Sequence, residues 1–374
     1  MGTTKAQLGG LTVLCIVLMR LAAGYHFFSE GMKKFEPDQI KKTEGFLRGA
    51  TGPMGDYFNS FAPGPHRAYE LLNRPHKWDS LAEEEEAEIN KWQGEYSKYL
   101  AEVRNRNKPI EAKNKEIAKS GEGEPDELEL VDTQFPPHGS YGDWARQIVA
   151  DWEGQLEEFA SRAKLDDQGQ HLAERAYLRA KIKLGQYLES IEQEVEEYQH
   201  ELWRLEELKH EVHNEGGSLP YMDDRIADQQ RSAAATPLPW IAEVGAIEKR
   251  LHEDLLELAP EGAEPEKVVA ALHPTTELDQ VNTIVTWVVV GSGALLFVGL
   301  FTRVAAVVAA GFLCSVIATQ PPWVYGANTQ FFYYQLFEVT GLLLLAAVGA
   351  GRWLGIDGLI GACCCGEKCE TKTT

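Results

Sequence analysis

No cysteine lies between Cys15 and Cys314 in this 374-residue chain. The long middle stretch therefore has neither a disulfide framework nor a thiolate metal site, and it suits an oxidising, extracytoplasmic space. Basic side chains are scarce there too. Residues 36–280 hold 52 of the 57 Asp and Glu but only 28 of the 36 Lys and Arg. So acidic a surface repels nucleic acid and anionic lipid, which excludes both as partners of that stretch. Motifs for nucleotide and hydrolytic chemistry are missing as well. There is no P-loop, no G-x-G-x-x-G, no G-x-S-x-G and no H-E-x-x-H.

What the chain does have is four apolar runs, at about 8–28, 281–301, 304–318 and 331–350. About 20 mostly apolar residues cross the roughly 30 Å of membrane hydrocarbon, so all but the third are long enough outright. The first run has only Lys5 before it, passes through Arg20 and lacks a clear small-x-small cleavage site. It reads as a retained first span rather than a signal peptide. Gly291, Gly293, Gly299, Gly311, Gly341 and Gly349 allow close helix packing in lipid. Thr302 is expected to cap the third helix with Arg303 in its first turn. The Pro pair in the loop 319–330 breaks helix, with Trp323 and Tyr325 placed at an interface.

The acidic stretch reads as helical. Ile89, Trp92, Tyr96, Tyr99, Val103, Ile110 and Ile117 follow a 3-4 spacing, as do Leu184, Leu188, Ile191, Val195, Tyr198, Leu202, Leu205 and Val212. Such alternation predicts coiled-coil seams, paired as an antiparallel hairpin or, alternatively, between two protomers. Trp144, Ile148, Trp152, Leu156, Phe159 and Ala163 form a third stripe that loses phase at 165–170, and a fourth runs from Ile241 to Leu258. Breakers at 121–125, 135–140, 214–217 and 236–239 mark the helix ends. Residues 37–80, rich in aromatics, Gly and Pro, read as a short-helical collar near the membrane surface.

The expected fold is therefore all-α, a four-helix transmembrane bundle interrupted by an extracytoplasmic helical coiled-coil domain. Residues 1–36 supply the first span, 37–278 the insert, 279–360 spans two to four and 361–374 a cytoplasmic tail with Cys363, Cys364, Cys365 and Cys369. Adjacent thiols without paired C-x-x-C spacing give no metal site. Both termini are expected in the cytoplasm.

Polar groups within spans carry the best functional signal, because each is costly in lipid unless paired. Arg20 lies about 18 Å into the first span, and Glu338 about 11 Å into the last, which runs the opposite way through a core of roughly 30 Å. Matching depths predict an Arg20–Glu338 ion pair, with Tyr334 and Gln335 on the face of Glu338. It is either a register-fixing pair or a ligand or proton site. His26, four residues before Glu30, stands at interface depth, either as an interfacial side chain or against a quinone headgroup. The remaining histidines, His66 and His252 among them, are scattered, with no acidic partner pattern that lifts them above a solvated face.

Three segments carry a family resemblance: RLAAGYHFFSEGMKKF (20–35), GLFTRVAAVVAAGF (299–312) and GAGRWLGIDGLI (349–360). In order and helix placement they resemble the DoxX/DoxD family of small bacterial four-helix membrane proteins. The matched positions are Arg20, Gly24, Phe28, Gly31, Gly299, Thr302, Arg303, Gly349, Gly351, Arg352 and Asp357; the insert lies outside the match. The resemblance implies a bundle in the bacterial inner membrane and a membrane subunit of a quinone-linked redox system, similar to thiosulfate:quinone oxidoreductase, with quinone as cofactor. The alternative is a non-catalytic scaffold that holds a periplasmic protein partner through its coiled coil. Membrane lipid is a partner in either case, and a homo-oligomer is compatible with both.

Overall fold

The computed structural model describes residues 9–35, 39–50, 52–77, 83–120, 123–214, 220–324 and 329–360, and no strand occurs among them. The cysteine-rich tail and Tyr325 lie outside the described residues. The helices in chain order are α1 (Gly10–Lys33), α2 (Gln39–Arg48), α3 (Gly55–Asn59), α4 (Ala68–Leu72), α5 (Glu83–Ser120), α6 (Gly142–Ala163) and α7 (Asp167–Ser190). They continue as α8 (Glu192–Asn214), α9 (Pro220–Ala235), α10 (Leu238–Leu256), α11 (Pro265–Leu272), α12 (Glu277–Val298), α13 (Thr302–Thr319) and α14 (Thr329–Val348). Contacts divide the chain into two compact units, Met1–Ala62 with Thr275–Thr374, and Pro63–Pro274.

In the first unit α1, α12, α13 and α14 are each long and apolar enough to cross a membrane. The chain is a multi-pass integral membrane protein. Many large apolar side chains on these helices face outward, among them Trp287, Val304 and Phe337. That is the inverse of a water-soluble bundle and the pattern expected where lipid is the solvent. α1 and α12 approach closely because both contribute glycines at the crossing. A Cβ on Gly24 would strike the Phe297 backbone, one on Gly293 the Phe28 backbone, and one on Gly31 Val290. α12 opens with a capping box in which Thr276 and Asp279 satisfy each other's amides.

Residues 39–62, on the insert side of the expected boundary at 36/37, group with the bundle. The reason is local. Thr43 Oγ1 donates a buried hydrogen bond to Asn282 Oδ1 at 2.9 Å, joining α2 to α12. Leu47, Ala50 and Ala62 bury their side chains.

The second unit is a helical body around Trp144, Ile148, Trp152, Phe159, Leu184, Leu188, Val244, Leu251 and Leu272. The stripe on α6 and the one on α10 are its core, as their spacing predicts. The break at 165–170 is a tight helix–helix turn. Lys164 ends α6 in the left-handed region (φ 54°), and Asp166 caps α7 by accepting the Gly169 N–H. The 184–212 seam is buried but not continuous. It bends at Ile191 between α7 and α8, α7 packing on α10 and α8 on α9. The expected hairpin between this seam and the 89–117 seam is corrected. Much of the α5 stripe is met instead by the non-helical segment 123–135 that returns along it. Heptad spacing reports a face that must be covered and is silent on whether a helix covers it.

Candidate functional site

The motif residues of the bundle converge at the end where α12 meets α13 and α14 finishes. Arg20 is buried, and its guanidinium donates to the carbonyl oxygens of Ala350 (3.3 Å), Trp353 (3.1 Å) and Leu354 (2.9 Å). Gly299 and Gly355 make room for it, since a Cβ on either would press on the guanidinium. Gly299 also takes φ 71° at the end of α12, a conformation that glycine reaches without strain. Asp357 accepts the N–H of Phe301 at 2.8 Å and of Thr302 at 3.0 Å, and its own N–H donates to Gly299 O at 2.9 Å. Burial would raise the Asp357 carboxyl pKa. The backbone and hydroxyl of Thr302, the Phe301 amide and the nearby Arg20 outweigh it and hold the pKa below the usual carboxylate range. Gly351 packs against Asp357 and Thr302, Gly349 (φ 63°) against Arg303, and Arg352 donates to Val348 O at the end of α14. Phe301, not Thr302, is the N-cap of α13, and the capping oxygens come from Asp357. The correction has a simple cause: the cap arrives from 55 residues away, beyond any local signal.

The predicted Arg20–Glu338 pair is also corrected. Glu338 faces His26, with Nε2 and Oε1 3.7 Å apart. The two depths agree, but the directions around the helix do not. Met19, Ala23 and His26 form the α1 face toward α14. Residue 20 lies six positions from 26, about 120° around a helix of 3.6 residues per turn. Arg20 therefore points to the interior beside Gly299 instead.

His26, Gln335 and Glu338 line one wall of a cavity of about 820 Å³ within the bundle unit. Gln335 Oε1 is buried without a hydrogen-bond partner. The other walls are largely apolar and aromatic, with Phe46, Met54, Tyr57, Phe58 and Phe61 from the collar facing Val285, Val289 and Phe312 from the spans. Glu30 and Lys34 stand at the same end of α1. Tyr334 is not in this cavity. It is largely exposed, accepts a hydrogen bond from Gln330 at 2.6 Å, and borders a smaller groove between α1 and α14. The collar aromatics are the site residues that span-by-span reading misses. Their signal is four aromatics at 46, 57, 58 and 61 in a stretch otherwise rich in Gly and Pro.

A second polar group sits in the core of the helical unit, and it overturns the solvated reading of two histidines. His66, 6% exposed in its side chain, places Nδ1 2.7 Å from Asp151 and Nε2 3.4 Å from Glu248. His252 is buried, with Nε2 2.9 Å from Gln155 Oε1 and its ring 5.0 Å from that of His273. The partners of His66 lie far along the chain, so spacing along one helix does not reveal them; for His252 the spacing does offer Glu248, four residues earlier on α10, with Nε2 and Oε1 3.8 Å apart.

No family model, no curated protein and no solved structure matches the chain. The class of protein is set by the four spans: a multi-pass membrane protein with a large helical unit inserted between its first and second spans.

Proposed function

We propose that the bundle is DoxX/DoxD-like and that its cavity receives the head of a lipid-soluble quinone, the chain serving as a membrane subunit of a quinone-linked redox system. The observation behind this reading is the His26–Glu338 pair beside the unpartnered amide oxygen of Gln335, in an otherwise apolar and aromatic cavity of about 820 Å³. Ligand sites of this size are usually apolar with a few convergent polar groups. The His26 ring can donate to a quinone carbonyl, and the Gln335 amide oxygen can accept from a quinol hydroxyl. His26 and Glu338 together can hold the proton that a reduced quinone must gain or lose. In this reading the protein lies in the bacterial inner membrane with both termini cytoplasmic and the acidic unit outside.

Protein purified in mild detergent should carry quinone detectable in its organic extract, and the bound amount should fall at least tenfold in Glu338→Gln combined with His26→Ala. Extracts holding only phospholipid, with no binding of added quinone, would refute the reading. A non-catalytic scaffold for a periplasmic partner would then stand in its place.

A further inference from the structure

Residues 123–135 leave α5 and run back along it. The register of this return is regular. Asn114 clamps the main chain of Asp126 from both sides, donating to its O at 2.7 Å and accepting its N–H at 2.8 Å. Seven residues earlier on α5, Asn107 does the same to Glu129, at 2.8 and 2.9 Å. Tyr99 Oη then accepts the N–H of Asp132 at 2.9 Å. Two helical turns advance about 10.5 Å, and three residues of extended chain advance about 10 Å, so the two repeats stay in step. The side chains add a charge code. Arg106 meets Glu129 through two bonds at 2.7 and 2.8 Å, and Lys113 meets Asp126 at 2.5 Å. From the other side α7 contributes Arg175 to Glu127 at 2.9 Å and Lys181 to Asp132 at 2.5 Å. In a chain of net charge −21, this groove gathers four cations around one acidic segment.

We propose that the groove between α5 and α7 is a docking site for an extended acidic segment of a partner protein, and that residues 126–132 occupy it in cis. Main-chain clamps give affinity without regard to sequence, as when a strand adds to a sheet edge. The cations select acidic side chains three residues apart. The occupant is built to be displaceable. Residues 123–129 are all exposed, and the clamp bonds to Asp126 and Glu129 are open to water. Exposed bonds, and ion pairs as open as those of Arg106 and Lys113, contribute little each and open first. The inference does not depend on what the bundle cavity binds.

The probe is a fluorescein-labelled peptide of residues 123–135, measured by anisotropy against the full chain in detergent. The chain carrying Asp126→Lys with Glu129→Lys, whose own segment no longer fits, should bind this peptide at least tenfold more tightly than the unaltered chain. Adding Asn107→Ala and Asn114→Ala should abolish that gain. Equal affinity of the unaltered and altered chains, or a gain that survives loss of both asparagines, overturns the proposal. A second measurement needs no altered chain. Peptide at concentrations on the order of millimolar, needed to compete with a tethered segment, should speed hydrogen exchange of the chain's own residues 124–135. Unchanged exchange at saturating peptide also overturns it.

Discussion

Asp357 holds the first turn of α13 across 55 residues, its two carboxylate oxygens taking the amides of Phe301 and Thr302. Phe301 enters that turn with φ 47°, a left-handed conformation uncommon for a residue with a side chain, so the cap also fixes a strained entry. Removing a capping oxygen costs about 0.5–2 kcal/mol in soluble helices. Asp357→Ala should therefore destabilise the detergent-solubilised protein by about 1–2 kcal/mol. Asp357→Asn, which keeps one oxygen, should cost less. Thermal unfolding followed by circular dichroism reads both, and a neutral Asp357→Ala would remove the capping role.

Arg20 and Glu338 should behave as independent sites, because each has other partners. Arg20→Leu leaves three carbonyl oxygens without their donor and should be strongly destabilising; hydrogen bonds to charged groups are worth roughly 1.5–3 kcal/mol each. Glu338→Leu should not rescue it. A double-mutant cycle on stability should give an Arg20–Glu338 coupling within about 0.5 kcal/mol of zero, whereas Arg20 with Asp357 should couple measurably. Rescue of Arg20→Leu by Glu338→Leu would restore the ion pair that span depth suggests.

Helix crossing makes the glycines unequal. Gly24→Leu or Gly293→Leu should prevent α1 and α12 from meeting, with loss of folded protein from the membrane fraction, since either side chain would meet backbone. Gly291→Ala and Gly311→Ala should be tolerated, because a Cβ at either meets nothing within 4 Å. Equal expression of Gly24→Leu and Gly311→Ala would count against the crossing.

The proposed topology, built on the four spans among the described residues, puts both ends of the chain on one side and the acidic unit on the other. In a cysteine-free background, Ser232→Cys on α9 should react with a membrane-impermeant maleimide in intact cells. A chain retaining only Cys369 should react only after permeabilisation. The reverse pattern would invert the proposed topology.

The spans, the core stripes of α6 and α10 and the break after Ala163 are legible in the sequence because each follows from one helix and its own period. The misreadings share one cause, since each depends on a partner that local spacing does not specify. Arg20 and Glu338 agree in depth but not in azimuth. The α5 stripe announces that it must be covered without saying that a non-helical segment covers it. His66 meets Asp151 and Glu248 across 85 and 182 residues of chain. By contrast, Arg20, Gly299, Thr302, Gly351 and Asp357, singled out by their order along the chain rather than by a pairwise distance, lie together in the structure.

His66 sets the pH behaviour of the helical unit. Burial would lower its pKa, but the hydrogen bonds and charges of Asp151 and Glu248 outweigh burial and lift it from 6.5 to about 9. A raised pKa means that the folded state holds the proton more tightly than the unfolded one. The stabilisation is then fully present below pH about 6.5, declines above it and is lost as pH rises through about 9. The shift corresponds to roughly 3 kcal/mol, an order-of-magnitude figure reached on the acid side of that window. Urea unfolding of the chain, followed at the buried Trp144 and Trp152 by fluorescence, should show stability falling between pH 6.5 and 9. His66→Asn should be less stable at pH 6.5 and lose most of that slope, while keeping its fold at pH 9 about as well as the parent. A parent whose stability is flat across this window, or a His66→Asn slope equal to the parent's, would show that the clamp on His66 carries no linked proton.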